Sequence, residues 1–283
     1  MKRSKKHYIV LALVAAGLYG LYILLMLVLG LQLYVLLLTY LAIVLTFYLI
    51  NRKNMWAVRG NYFYITGNYV QARRLLEKAV KANTKSPSAH IYYSLILLRE
   101  DKKSAEALKL LERARAHCTS VMDERNLIIA TATCLWLEGR RDEAVKTLDD
   151  MRTKHEYISA GALTTLGYMH FVMGNYDAAR EATALAMEDD PTYGAAWDNM
   201  GQICYKTGDA TGAKQNFIAA LQKTENLADA NYYLGMIYEA QGDETTAREH
   251  FRKAHICTIG LFNSITADDC LKKYKQYFGG DEQ

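Results

Sequence analysis

Three side chains near the end of the chain have metal-ligand chemistry: His250, His255 and Cys257. Helical ligands share a face when they are three or four residues apart. His250 and His255 are five apart, so they suit one metal ion poorly and read as surface histidines. Neighbouring carboxylates are candidates for general acid and base work. Here they are Asp149 with Asp150, Glu188 with Asp189 and Asp190, and Asp268 with Asp269. Each group falls where a helix should start or end, and solvated faces account for such positions. The sequence has no phosphate loop, nucleophile motif or dinucleotide fingerprint. Five cysteines, Cys118, Cys134, Cys204, Cys257 and Cys270, form no C-x-x-C pair and are odd in number, a usage that suits a reducing compartment. The expectation is a non-enzyme without metal or cofactor, whose function lies in a surface.

A repeat positions these residues. Alanines recur at Ala72, Ala107, Ala144, Ala179, Ala213 and Ala247, at spacings of 35, 37, 35, 34 and 34. Glycines keep step before them: Gly60, Gly167, Gly201 and Gly235 in one register, and Gly67, Gly139, Gly174, Gly208 and Gly242 in another. A third register holds Ala79, Ala114, Ala186, Ala220 and Ala254. Two short antiparallel helices need small side chains where their axes cross most closely, which explains the first glycine and the two alanines. The second glycine sits where the chain leaves the first helix, a place that favours positive φ. A helix pair this short cannot bury its own apolar face and must stack on copies of itself. Leu95 and Ala132 replace the crossing glycine in units two and three, and Lys102 replaces the turn glycine in unit two.

The clearest unit, Leu163 to Pro191, combines Leu163, Leu166, Gly167, Gly174, Ala179, Ala186 and Pro191, and it resembles the tetratricopeptide repeat (TPR) family. Trp56 and Trp197 stand at the large-residue position of the first helix, and Phe217 and Phe251 at the aromatic position of the second. The expected fold is all-α: a TPR solenoid of about six helix-turn-helix units over residues 53–257. After it come a capping helix from about Ala267 to Phe278, started by Thr266 and Asp269, and a short tail to 283. Leu271, Tyr274 and Phe278 should line its inner face, with Lys272, Lys273, Lys275 and Gln276 largely on the outer one.

The front of the chain is different material. Residues 1–7 carry Lys2, Arg3, Lys5 and Lys6, and no residue from Tyr8 to Ile50 is charged. One helix of that length would exceed about 60 Å, twice the roughly 30 Å hydrocarbon core. A hairpin of two spans, about 8–29 and 33–50, is expected, turning at Gly30, Leu31 and Gln32. Arg52, Lys53 and Arg59 follow the second span, so both ends carry the charge of the inner face. An integral, multi-pass cell-membrane protein with cytoplasmic repeats is the expectation, and its compact anchor suggests a bacterial source. Ala12, Ala16 and Gly20 form a small-residue stripe suited to packing one span on the other, with self-association as the alternative. All 30 acidic residues lie after Ile50, where 30 of the 34 basic ones also lie, so the net charge of +4 belongs to the basic head. A neutral repeat region lacks the basic stripe that nucleic acid would require.

The resemblance implies that function resides in the concave groove lined by the first helix of each unit. Carried onto this sequence, those positions hold Asn61 and Tyr64, then Tyr92 and Arg99, then Thr133 and Trp136. Further along they hold Tyr168 and Phe171, then Asp198, Gln202, Tyr205 and Lys206, then Asp229, Tyr232, Tyr233, Met236 and Glu239. Tyrosine and tryptophan give large contact area with a polar handle, the composition of a surface for a protein or peptide segment. The subgroup that clamps a terminal carboxylate is not matched, because Ala57, Tyr93 and Ala130 stand where its polar residues would be. A membrane-anchored scaffold or adaptor is therefore expected. The alternatives are an outward-facing, single-span protein of envelope assembly and a self-associating structural protein.

Overall fold

The computed structural model describes residues 2–28, 33–101, 103–154 and 158–279, which form helices and connecting turns and contain no strand. The turn expected at Gly30, Leu31 and Gln32, the unit-two position Lys102 and the tail after Gly279 lie outside them.

Two helices come first, α1 (Lys2–Val28) and α2 (Leu33–Ile65). Tyr22 and Thr39 meet hydroxyl to hydroxyl, and the Tyr19 and Tyr40 rings lie 5.0 Å apart, so the two helices run antiparallel. Of the small stripe, Ala16 and Gly20 do not make this contact, and the Ala12 side chain lies outside the described ones. Ala16 is exposed, and a methyl group added at Gly20 would meet nothing within 4 Å. Large side chains with polar tips form the contact instead, on the face that also half-buries Ile23 and Met26. Among the described residues, α2 is long and apolar enough to cross a bilayer by length and composition, and its apolar window is not covered by protein. It continues without a break into the first repeat, because no glycine or proline interrupts it before Gly60.

The second part of α2 pairs with α3 (Tyr69–Lys81), and five further pairs follow. They are α4 (Pro87–Ile96) with α5 (Ser104–Arg115), α6 (Val121–Leu137) with α7 (Arg141–Lys154), and α8 (Ala160–Val172) with α9 (Tyr176–Asp189). Then come α10 (Gly194–Lys206) with α11 (Ala210–Lys223) and α12 (Ala228–Ala240) with α13 (Glu244–Ile256). The six alanines that mark the period are all fully buried, at 0% exposure. Opposite them the helices close on the crossing glycines. A methyl group at Gly60 would lie 2.7 Å from Leu76, one at Gly201 2.6 Å from the Phe217 ring, and one at Gly235 2.7 Å from the Phe251 ring. At Gly167 the same place is filled by the Thr183 hydroxyl.

The turn glycines Gly67, Gly139, Gly174, Gly208 and Gly242 have φ between 79° and 87°, the left-handed geometry that ends a helix without a Cβ clash. Unit two closes differently: α4 widens into a π-helical turn, Leu97–Asp101, and Glu100 pairs with Arg73 of the preceding unit at 2.5 Å.

The last helix, α14 (Ala267–Phe278), opens with a reciprocal cap. Thr266 N–H donates to Asp269 at 2.8 Å, and Asp269 N–H donates to the Thr266 hydroxyl at 3.1 Å. Tyr274 stacks on His255 at 4.4 Å, which gives that histidine a packing role. Lys273, expected to face outward, turns inward to pair with Glu239 at 2.5 Å. The reason is local: Glu239 at the end of α12 is a half-buried carboxylate beside the cap, and Lys273 supplies its counter-charge.

Candidate functional site

The first helices pack side by side in two sets, α2–α4–α6 and α8–α10–α12, which the Trp136–Tyr168 ring contact joins, and two regions of this face differ. In units one and two, Tyr64 stacks on Tyr92 with centroids 4.4 Å apart and planes at 9°, and Tyr69 stands edge-on to Tyr64 at 5.6 Å. Arg99 lies over the Tyr69 ring at 4.4 Å, with its guanidinium side exposed. Burial, followed by the nearby Tyr69 and Tyr92 hydroxyls, pushes the Tyr64 phenol up to about 12. Asn61 is half-buried, and its Oδ1 has no hydrogen-bond partner.

In units four to six the face is covered by the chain itself. The connection from α13 to α14, residues 257–266, is longer than its equivalents at 190–193 and 224–227, and it lies across the first helices as a strap. Phe262 packs edge-on against Tyr168 at 5.6 Å, and the Tyr168 hydroxyl donates to the Asn263 carbonyl at 2.9 Å. Asp229, in the first turn of α12, anchors the strap. It accepts from Asn263 Nδ2 at 2.6 Å, the Ser264 hydroxyl at 3.0 Å, Ser264 N–H at 3.1 Å and Ile265 N–H at 3.2 Å. The Tyr233 and Ser264 hydroxyls are 3.0 Å apart. One carboxylate thus satisfies four donors of a segment with no regular structure of its own, which a buried backbone requires.

Beneath the strap, Thr164 and Tyr168 of α8, Asp198 and Asn199 of α10, Asp229 of α12 and residues 260–263 surround a cavity of about 280 Å³. Asp198 is buried; one oxygen accepts from Gln202 Nε2 at 3.1 Å, and Oδ1 has no partner. Burial first, and then the charge of Asp229, holds the Asp198 carboxyl well above the ordinary aspartate value. Burial also raises Asp229, against the pull of its donors from Asn263, Ser264 and Ile265. Asp198, with fewer donors, therefore takes the proton first. A carboxyl whose folded pKa is raised favours folding below its unfolded value, 3.8, and loses that contribution as pH rises through the folded pKa. Asp198→Asn removes this term. Its stability relative to the native chain, read by urea unfolding in detergent micelles, should therefore be higher at pH 7.5 than at pH 4.5.

The remaining groove positions are placed less uniformly. Phe171 is buried in a cluster with Ala179 and Ile203 and does not line the groove. Trp136 is 9% exposed and packs against Tyr168 and under Arg141, and Thr133 is buried with its hydroxyl bonded to its own helix. Gln202 is spent on Asp198. Tyr233 is buried, stacked on Phe217 at 5.5 Å, and Tyr232 packs on Phe251 and Tyr233. Glu239 is taken by Lys273, Tyr277 and Gln276. Burial alone would raise the Glu239 carboxyl, and those donors bring it below its ordinary value instead. Tyr205 and Met236 stay half-exposed, and Lys206 is open to solvent. These rings pack between units because stacked helix pairs share one wall, which spacing alone does not reveal.

His250 hydrogen-bonds Asn231 Oδ1 at 3.1 Å and stacks on Tyr238, and no group of three potential metal ligands occurs among the described residues. A larger, open depression of about 630 Å³, lined by Arg115, Cys118, Ser120 and Glu124 among others, lies at the α5–α6 connection away from the groove.

Comparison with known proteins bears on the repeats. Residues 58–119 and 199–258 match the family model described as tetratricopeptide repeat, and these segments cover units one, two, five and six. A curated relative, tetratricopeptide repeat protein 37 of Xenopus laevis, is 28% identical over 168 residues. That alignment takes in 57% of this chain and 10% of the relative, so the match spans about a tenth of the relative's length. Solved structures of the same architecture include PilW, a widely conserved type IV pilus biogenesis factor, with TM-score 0.57 and 18% identity over 71% of this chain and 91% of that one. The Cut9–Hcn1 hetero-tetramer of the APC/C gives TM-score 0.60 and 18% identity over 77% of this chain and 42% of that one. PilF of Pseudomonas aeruginosa gives 0.56 and 16% over 81% and 97%. At these identities the likeness is one of fold.

Proposed function

We propose that this chain is a membrane-anchored adaptor: α1 and the apolar part of α2 sit in a bilayer, and the solenoid recruits a protein segment through its first-helix face. The observation that carries this reading is the strap. An irregular segment already lies on that face, held by an aromatic wall and a buried carboxylate, which is the chemistry that binds an extended peptide in a groove. The Tyr64, Tyr92 and Arg99 region is built from the same kinds of side chain, and among the described residues no strap covers it. The unbroken α2 fixes the first repeat to the anchor, and tethering raises the effective concentration of a partner near membrane machinery even at modest affinity. The basic residues at both ends of the apolar region support cytoplasmic repeats.

The test is proximity labelling from a tag placed after Gln283, alongside protease treatment of intact cells. A protected tag that labels a small set of proteins, with labelling reduced about tenfold by Arg99→Glu with Lys206→Glu, is the expected result; both side chains are exposed, so the fold is not at stake. Digestion of the tag from outside would overturn the topology and move the repeats to the envelope side. An unchanged set of labelled proteins in the double variant would overturn the groove as the docking surface.

A further inference from the structure

The cavity under the strap gathers polar side chains from α8, α10, α12 and the strap itself. Its charged lining is acidic only, Asp198 and Asp229, and the rest is Thr164, Thr165, Tyr168, Tyr193, Asn199 and Asn263 with small or apolar residues. Two lining atoms are buried without any hydrogen-bond partner: Asp198 Oδ1 and Thr164 Oγ1, on residues 6% and 7% exposed. Gln202 Oε1, one helical turn beyond Asp198, is a third buried oxygen without a donor. Gln202 Oε1 and, in the ionised form, Asp198 Oδ1 can only accept, the Thr164 hydroxyl can accept as well as donate, and a buried acceptor left empty is costly. What the site lacks is therefore a donor, and a group with several donors and no acceptor meets that need most fully.

Charge points the same way. Asp229 lies in the first turn of α12, where the helix N-terminus offsets its charge, and it takes four donors from the strap. Asp198 sits deeper in α10 and has Gln202 alone. Among the described residues neither aspartate has a salt-bridge partner, and no basic side chain lines the cavity. Among the described residues, no third metal-ligating side chain joins the two carboxylates.

We propose that this cavity is a subsite for the cationic head of a basic side chain, the ammonium of lysine or the guanidinium of arginine, carried by the protein segment that docks in the groove. The cation would donate to Asp198 Oδ1 and Thr164 Oγ1 and supply the counter-charge that the aspartate pair lacks. This inference rests on the groove being a docking surface, and it adds the chemistry that the partner must carry.

The test uses the full chain in detergent micelles and three small probes: N-acetyl-lysine methylamide, its uncharged counterpart N-acetyl-norleucine methylamide, and norleucine methylamide with a free α-amino group. The expected result is binding of the lysine probe at least about tenfold tighter than the norleucine probe, measured by titration calorimetry. That preference should be lost in Asp198→Asn and reduced several-fold in Thr164→Val, with helical circular dichroism unchanged in both. Equal binding of the charged and uncharged probes, or a preference retained in Asp198→Asn, overturns the subsite and leaves a cavity filled by water. Tighter binding of the free α-amino probe than of the lysine probe overturns the side-chain assignment in favour of a peptide N-terminus. Because these probes do not depend on the cellular partner, failure here leaves the proximity-labelling test of groove docking to be decided separately.

Discussion

Phe217→Ala should lower the unfolding free energy by about 3–5 kcal/mol, the range for emptying a buried aromatic site. Phe217 is 0% exposed, stacks on Tyr233 with planes at 6°, and closes on Gly201 of the facing helix. The same geometry makes the reverse change costly. A methyl group at Gly201 would stand 2.6 Å from Cδ1 and 2.7 Å from Cε1 of that ring, and a ring held between Tyr233 and its own helix has nowhere to swing. Gly201→Ala alone should therefore cost about 1–3 kcal/mol. Combined with Phe217→Leu, which vacates part of the space, it should cost less than the two changes added together, with a coupling of roughly 1 kcal/mol or more. Urea unfolding of the four proteins measures this cycle. Strict additivity would mean that the ring and the glycine are not the point of closest approach between α10 and α11. The equivalent cycle at Gly167 and Thr183 should show weaker coupling, because a threonine hydroxyl is smaller than a phenyl ring.

These contacts explain why the solenoid is legible from the sequence. Gly201 is demanded by the Phe217 ring packed against it, Ala213 by its complete burial, and Gly208 by a φ of 87°; such requirements act within one helix pair and recur with its period. The end of the second span is harder to read, because Asn51 to Asn54 are polar but helix-compatible and the helix runs through them. The groove was legible in outline only. Tyr168, Asp198, Asp229 and Tyr233 do converge, yet the strap that covers them comes from Cys257 to Thr266, which has no periodicity to betray its position. Two signals for it existed. The connection after α13 is longer than the others, and Asp198 and Asp229 are acids on helix faces that must be largely buried. Phe171 is the opposite case: its register suits the groove, but its ring packs into the α8–α9–α10 core.

Asp229→Ala should free the strap while leaving the repeats folded. Asp229 is 1% exposed and accepts from one amide, one hydroxyl and two backbone N–H groups, all belonging to residues 263–265. An alanine there leaves those donors buried with no acceptor, at about 1–3 kcal/mol for each that water does not reach. The strap has a cheaper course, which is to lift off and hydrate. Its opening equilibrium should rise on the order of a hundredfold or more, a shift of about 3 kcal/mol. Amide hydrogen exchange at Ser264 and Ile265 would report it, and exchange in α8 and α9 would stay near native. Tyr168 and Phe262 should separate, so crosslinking of a cysteine pair introduced at these two sites would fall in the variant. Asp229→Asn should lie between, since its side-chain oxygen can still accept while its amide group opposes the Ser264 and Ile265 N–H groups. If exchange at Ser264 and Ile265 stayed native-like in Asp229→Ala, Phe262 and the Tyr168 hydroxyl bond would have to hold the strap by themselves, and the carboxylate would not be its anchor. If α8 and α9 opened together with it, the strap would be part of the solenoid core and not a cover laid on the groove.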